Sequence, residues 1–287
     1  MAVDGCGSAS LFTRFILALS PTNRIRTATA VGGHPECLRR ADHAYGVRMS
    51  PSKAAVPVVT VHLWRVPTRR IPGAVGRMAT NRRPLRRTHG LRFSKLLGTG
   101  SGETFRLRDA DLHHWGVLAV WDSEADARVF EVGSVVSAWD HAADERCRFV
   151  LEPISSHGSW SGSHPFEPVN GTRPTGAVAA ITRARVKPSL WRTFARAIPP
   201  VAAQAGASPG LRLSTGIGEA PVGLQGTFTV WDSNSRLRDF AYGRVHQAAI
   251  DQTAKVKWYS EELFARFAVL SAQGTFCGSP VDIGPTE

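Results

Sequence analysis

The residues that could carry chemistry are ten histidines and four cysteines among 287 residues, and their spacing excludes most of what such residues do. No H-x-x-x-H or H-E-x-x-H occurs, so a zinc site has no support. His113 and His114 are adjacent and point opposite ways on an extended chain, so they cannot clasp one metal together. Cys6, Cys37, Cys147 and Cys277 form no C-x-x-C pair. That excludes a zinc ribbon, a thioredoxin-type redox motif and a disulfide-dense scaffold, and fits reduced thiols in a cytosolic protein. G-x-S-x-G is absent, and Gly98-Thr-Gly-Ser-Gly102 lacks the last glycine of a dinucleotide fingerprint. Both it and Thr215-Gly-Ile-Gly-Glu219 read as structural turns. His246 is different. It lies in a helical stretch where Phe240, Val245 and Ile250 mark the buried side. Such a residue is either a satisfied core histidine or the single imidazole that a haem iron needs beside an apolar cavity.

The elements that must position these residues come in two sets. Val120-Trp-Asp-Ser123 recurs as Val230-Trp-Asp-Ser233, with Phe130 then matching Phe240. Thr99-Gly-Ser-Gly-Glu103 recurs as Thr215-Gly-Ile-Gly-Glu219, and Arg148-Phe149 as Arg266-Phe267. His157-Gly-Ser-Trp-Ser-Gly162 answers Gln273-Gly-Thr-Phe-Cys-Gly278. The order is conserved between the halves, which reads as a tandem duplication. Register then places Val136 where the second half has His246, so duplication does not explain the histidine. Trp121 and Trp231 fall at equivalent strand ends and suit core packing, although Trp231, with Trp258 and Tyr259, is also a candidate to line a cavity.

Each unit reads strand, helix, strand, strand, helix, strand. Val58–Trp64 and Val178–Val186 are the first strands. Helices over Pro72–Arg87 and Pro188–Gln204 follow, then strands ending at Trp121 and Trp231, helices ending near His141 and Lys255, and closing strands Arg148–Glu152 and Arg266–Leu270. Asp or Ser at 122–123 and 232–233 can cap the second helix of each unit. The expected fold is α+β: two ferredoxin-like units fused in one chain, residues 57–165 and 176–280. Their bare sheet faces, buried together, form an α/β-barrel with a cavity between sheet and helices. The uncharged stretch from Ala197 to Leu211, with Pro199, Pro200 and Pro209, reads as a loop or broken helix.

Charge is unevenly placed. Net charge is +12 overall, but residues 1–112 carry +13 and the remainder −1. Residues 1–56 show no defensible period and read as a disordered basic tail or an upstream start, with Met49 the alternative beginning. Leu11–Leu19 is a poor signal peptide, and no window of about 18 apolar residues spans a membrane. Arg69, Arg70, Arg77, Arg82, Arg83, Arg86, Arg87 and Arg92 give a basic helix region nearly free of aromatics. That speaks against single-stranded nucleic acid and for docking on an anionic membrane surface.

Several runs resemble one known family. They are Gly90-Leu-Arg-Phe-Ser-Lys-Leu-Leu-Gly-Thr-Gly100, Trp115-Gly-Val-Leu-Ala-Val-Trp121, and Gly158-Ser-Trp-Ser-Gly162 followed by Pro165-Phe166. In the second half they are Ile181-Thr-Arg-Ala-Arg185, Thr215-Gly-Ile-Gly-Glu-Ala-Pro221, Thr227-Phe-Thr-Val-Trp231 and Trp258-Tyr-Ser-Glu-Glu-Leu-Phe-Ala-Arg-Phe267. From about Val58 to Gly278 the chain resembles spheroidene monooxygenase, the acyclic carotenoid 2-ketolase. The resemblance implies an oxygenase using O₂ and two electrons from a donor such as reduced ferredoxin, and containing haem b. It implies two hydroxylations at one carbon of a linear carotenoid, collapsing to a ketone. It puts His246 on the iron and makes Arg244 or Arg212 a partner for a haem propionate. Ser94, Leu118 and Leu224-Gln225-Gly226 depart from the family pattern and put the substrate in doubt. The competing readings are a cofactor-free oxygenase of the same barrel type and a non-enzymatic haem or small-ligand carrier. The expected location is the cytoplasm, peripheral to the inner face of the membrane.

Overall fold

A computed structural model describes residues 56–102, 109–169, 171, 173–219 and 224–283. The tail reading for residues 1–56 therefore lies almost wholly outside the described residues. So do Glu103 and the Ala220-Pro221 pair.

In the first half, strand β1 (Val58–Arg65) is followed by helices α1 (Ile71–Thr80) and α2 (Arg82–Arg86). Strands β2 (Leu91–Gly100) and β3 (Ala110–Trp121), helices α3 (Glu124–Glu131) and α4 (Ser134–Asp140), and strand β4 (Glu145–Gly158) complete it. The second half repeats the order: β5 (Val178–Val186), α5 (Trp191–Gly206), β6 (Leu211–Gly218), β7 (Leu224–Trp231), α6 (Asn234–Ala241), α7 (Arg244–Val256) and β8 (Tyr259–Phe276). A short β9 (Ser279–Pro280) ends it. β-branched residues with His62 and Trp64 make β1 a strand, and Val178, Ile181, Thr182 and Val186 do the same for β5. Ser123 and Ser233 cap α3 and α6, accepting from the amides of Asp126 and Arg236 at 3.2 and 3.3 Å. The serines, not the preceding aspartates, are the caps.

All ladders between these strands are antiparallel, and the sheet closes on itself in the order β4-β1-β3-β2-β6-β7-β5-β8, with β8 returning to β4. Odd-numbered residues of β1 and β5 point into this barrel. Val59, Val61, Ala179 and Ile181 meet Phe149, Phe228 and Phe267 there in one hydrophobic core. Even-numbered residues face outward, under the helices. Such a core is the main stabilising term, at about 1.5–3 kcal/mol for each fully buried large side chain.

The pairing registers correct two sequence matches. Measured from the Leu91–Trp121 and Leu211–Trp231 pairs, Thr215 is the counterpart of Lys95, not of Thr99. The glycine-rich segments are strand ends rather than turns. They pair with each other across the seam, Gly98 with Gly218 and Gly100 with Gly216. Their glycines allow that approach, because a Cβ on Gly216 would stand 3.0–3.1 Å from backbone atoms of Gly100 and Gly102. Likewise Val150, not Arg148, is the counterpart of Arg266.

The other matches keep their register. Ser161-Gly162 and Cys277-Gly278 all have positive φ, between 51° and 75°, which is the signature of type I′ hairpins. Glu261 accepts from the Gly162 amide at 2.8 Å, and Glu145 from the Gly278 amide at 2.6 Å. The stretch from Ala197 is helical through Gly206 despite two internal prolines. They remove two helix donors, but the helix keeps its place because Phe194 and Ala195 are buried against the sheet. No helix among the described residues is long and apolar enough to cross a membrane.

Candidate functional site

The two halves share a frame but fill it differently. In the first half the space between sheet and helices holds Trp64, Trp115, Trp121, Phe130 and Trp139, all buried. Trp64 stacks on Trp139 at 5.5 Å and donates Nε1–H to Asp140 at 2.7 Å. His62 is buried there too, its Nε2 2.8 Å from a Glu131 carboxylate oxygen. Register with the Trp121 and Trp231 strand ends gives each of these a counterpart. Ala184 stands for Trp64, Thr182 for His62 and Ala180 for Thr60. Counted from the helix N-caps Gly133 and Gly243, Ala249 stands for Trp139. Replacing two tryptophans and a histidine with small residues leaves a cavity of about 320 Å³ between β5–β8 and α5–α7. That is at the small end of the roughly 300–1,000 Å³ of ligand pockets.

His246 lines this cavity. Its position follows from the local chain. α6 ends at Ala241, whose carbonyl has no further helix donor, and His246 lies one turn beyond. Nδ1 donates to that carbonyl at 2.9 Å, an assignment that follows because a carbonyl can only accept. Phe240 packs against the imidazole with ring centroids 5.0 Å apart. Burial pushes the imidazole pKa down, and the Ala241 hydrogen bond offsets this only in part. A neutral ring with its proton on Nδ1 keeps the Nε2 lone pair, the state in which a histidine ligates a metal or haem iron.

The remaining wall is mostly apolar, from Phe194, Ile198, Val201, Ala202, Leu237 and Phe264. Trp258 and Tyr259 line it as well. Burial pushes the Tyr259 phenol up to about 12 despite hydrogen bonds with Trp258 and Thr253, so the ring stays neutral. Trp231 does not line the cavity. It is fully buried beside Val178 and Leu237, with Nε1 donating to Thr229 at 3.0 Å.

Neither arginine anticipated for an anionic group lines the cavity. Arg212 forms an ion pair with Asp232, which matches the Arg92–Asp122 pair at 2.5 Å in the first half. Both pairs tie a strand to the turn before a helix, which is a structural duty. Arg244 is exposed at the first position of α7. The arginine that does line the cavity is Arg266, 6% exposed, with Nε donating to Ser155 at 3.1 Å and Nη1 to Asn234 at 2.9 Å. Burial and the nearby Arg238 charge lower its pKa. Its match with Arg148 hid it in the sequence; an arginine among the outward, helix-covered positions of a strand was the signal. Of the departures from the family pattern, Gly226 is in the cavity wall, Leu118 is in the barrel core, and Ser94 borders a separate groove beside α1 and α2. Nothing is described of the Leu224 and Gln225 side chains.

No family model matches the chain. It is 34% identical over 228 residues to spheroidene monooxygenase of Rhodobacter capsulatus, a match covering 78% of this chain and 94% of that protein. It is 36% identical over 205 residues to spheroidene monooxygenase of Rubrivivax gelatinosus, covering 71% of this chain and 78% of that one. Among solved structures, an aldoxime dehydratase in complex with butyraldoxime superposes with a TM-score of 0.51 at 11% identity, over 76% of this chain and 81% of that chain. At that identity the likeness concerns the fold alone. The two curated relatives, matched along most of their length, decide the matter: the chain belongs to the spheroidene monooxygenase family.

Proposed function

We propose that this monooxygenase binds haem b in the second-half cavity, where His246 would hold the iron, and oxidises a linear carotenoid or a related apolar isoprenoid there. The observation that carries the reading is His246 itself. It is a neutral imidazole on a cavity wall, its Nδ1 committed to the Ala241 carbonyl, at a helix position where the first half has Val136. Arg266 is the residue placed to meet a propionate, because it is the buried guanidinium in the wall. When bound, the haem would supply O₂ activation, with two electrons from a ferredoxin-type donor. The chain's own part is positional. His246 offers Nε2 without first losing a proton, and the apolar walls from α5 and β8 orient a hydrocarbon chain and exclude water. Tyr259 keeps its proton and offers a hydroxyl at the wall.

The same reading takes the two halves as a tandem duplication in which one copy filled its sheet–helix space and the other opened it. The matched hairpins and the Glu145 and Glu261 contacts to them support that descent.

The test is turnover of a linear carotene by the haem-loaded protein with O₂ and a reduced ferredoxin system, followed by product mass. Oxygen-bearing product that depends on haem and donor supports the proposal. Haem bound without turnover would point to the carrier, and turnover without haem to the cofactor-free oxygenase.

A further inference from the structure

We propose that the α1–α2 face is a docking surface for an anionic phospholipid bilayer. Arg69, Arg82, Arg83, Arg86 and Arg87 are exposed along Thr68–Arg87, and Arg70 is partly so. None of these six forms an ion pair with any described residue. That differs from arginines elsewhere on this surface, such as Arg65, Arg92, Arg128 and Arg212, each of which has its carboxylate. The face has no duplicate, for α5 in the second half carries only Arg192 and Arg196 and turns its apolar side to the cavity.

Beside the arginines runs a groove of about 590 Å³, lined by Met78, Leu91, Phe93 and Leu96 together with Arg82, Arg86 and the Lys95–Glu219 ion pair. Val75 stands exposed on α1. Guanidinium groups meet phosphate oxygens in paired hydrogen bonds, and the apolar part of the groove, Met78, Leu91, Phe93 and Leu96, can take up acyl chain beside them. A bilayer of acidic phospholipid supplies both halves of that pattern at once. An acidic protein surface would satisfy the charge and leave the groove unmatched. The choice of a bilayer rests in part on the proposed apolar substrate, which dissolves in lipid.

The test is co-sedimentation of the full chain with vesicles of phosphatidylcholine alone or with phosphatidylglycerol, at low and at physiological salt. It is run beside a variant with Arg82, Arg83, Arg86 and Arg87 all changed to glutamine. Both proteins keep residues 1–55, so the basic tail cancels in the comparison. The expected result is binding to phosphatidylglycerol vesicles only, weakened by salt and at least tenfold weaker in the variant, with an unchanged circular dichroism spectrum. Equal binding by the variant, equal binding to both vesicle types, or an arginine-dependent complex with reduced ferredoxin but none with vesicles would overturn the proposal. Turnover of detergent-dispersed carotene by the same two proteins separates the two readings. If it persists while vesicle binding fails, only the docking surface falls; if it fails while vesicle binding stands, only the proposed activity does.

Discussion

Ala184 occupies in β5 the place that Trp64 occupies in β1, and the missing indole is a large part of the cavity. Both residues follow from the same register, and both face the helices. One is capped by Asp140 and stacked on Trp139; the other borders open space. The exchange Ala184→Trp should therefore fill the site from within. We expect the variant to fold, at a cost of about 1–3 kcal/mol for overpacking, and to lose haem retention. The reverse exchange, Trp64→Ala, should cost roughly 3–5 kcal/mol and leave haem retention intact. Thermal melts and haem titration of the two variants check the pair.

Two arginines set the proposed haem contact of Arg266 against the structural ion pair of Arg212. Arg266→Gln should weaken haem retention at least tenfold, because it removes the buried cation of the wall. Arg212→Gln should leave retention unchanged and cost no more than about 1 kcal/mol, since its pair with Asp232 is half exposed on both sides. Haem titration of each variant, with its melting temperature, tells them apart.

The pH dependence of stability follows from His62 and Glu131. Burial lowers the His62 pKa in spite of its bond to Glu131. Burial alone would raise the Glu131 carboxyl, but His62, Arg148 and Arg146 outweigh it and hold the group at about 2. As pH falls below roughly 6.5, the unfolded histidine takes up a proton that the folded one refuses. Stability drops there, and drops again below about 4.5 as unfolded Glu131 is protonated ahead of the folded one. His114 acts in the opposite sense: burial lowers its pKa, but Asp111 and Glu145 outweigh that and raise it, so its contribution is lost as pH rises. The measurement is thus a difference, wild type against His62→Gln, by denaturant unfolding between pH 5 and 7. The wild type should lose up to about 1.4 kcal/mol more per pH unit on the acid side.

Gly158 and Gly274 hold equivalent places at opposite ends of the β4–β8 ladder, Gly158 opposite Leu263 and Gly274 opposite Cys147, with φ of +89° and +100°. A Cβ at either would stand 2.0 Å from the Glu262 carbonyl oxygen or 2.2 Å from that of Arg146. Alanine at each position should cost roughly 1–3 kcal/mol or more, nearly equally, without moving the haem titration. Unequal costs would contradict the equivalence of the two halves at this ladder.

Much of this architecture was legible in the residues. Alternation in Val58–Trp64, the paired Trp-Asp-Ser strand ends and the serine caps gave the order of elements, because they act locally. Register was less so. The Gly-rich runs look alike at an offset of 116 yet pair with each other, since their likeness reflects a shared need for close backbone approach at the seam. His246 stood out because Val136 holds the matching place. Arg266 did not, because which side of a strand faces a helix layer depends on the barrel, not on the strand. Nor did the cavity itself announce its half of the chain. It comes from Ala180, Thr182, Ala184 and Ala249, small residues that read as ordinary until set against Thr60, His62, Trp64 and Trp139.

The most direct measurement is the ultraviolet–visible spectrum of the full chain purified from haem-supplied cells, beside His246→Ala with a matching circular dichroism spectrum. The account predicts a Soret band in the parent that is lost or shifted in the variant. Identical bands in both proteins, or no bound haem in either after reconstitution, would contradict it.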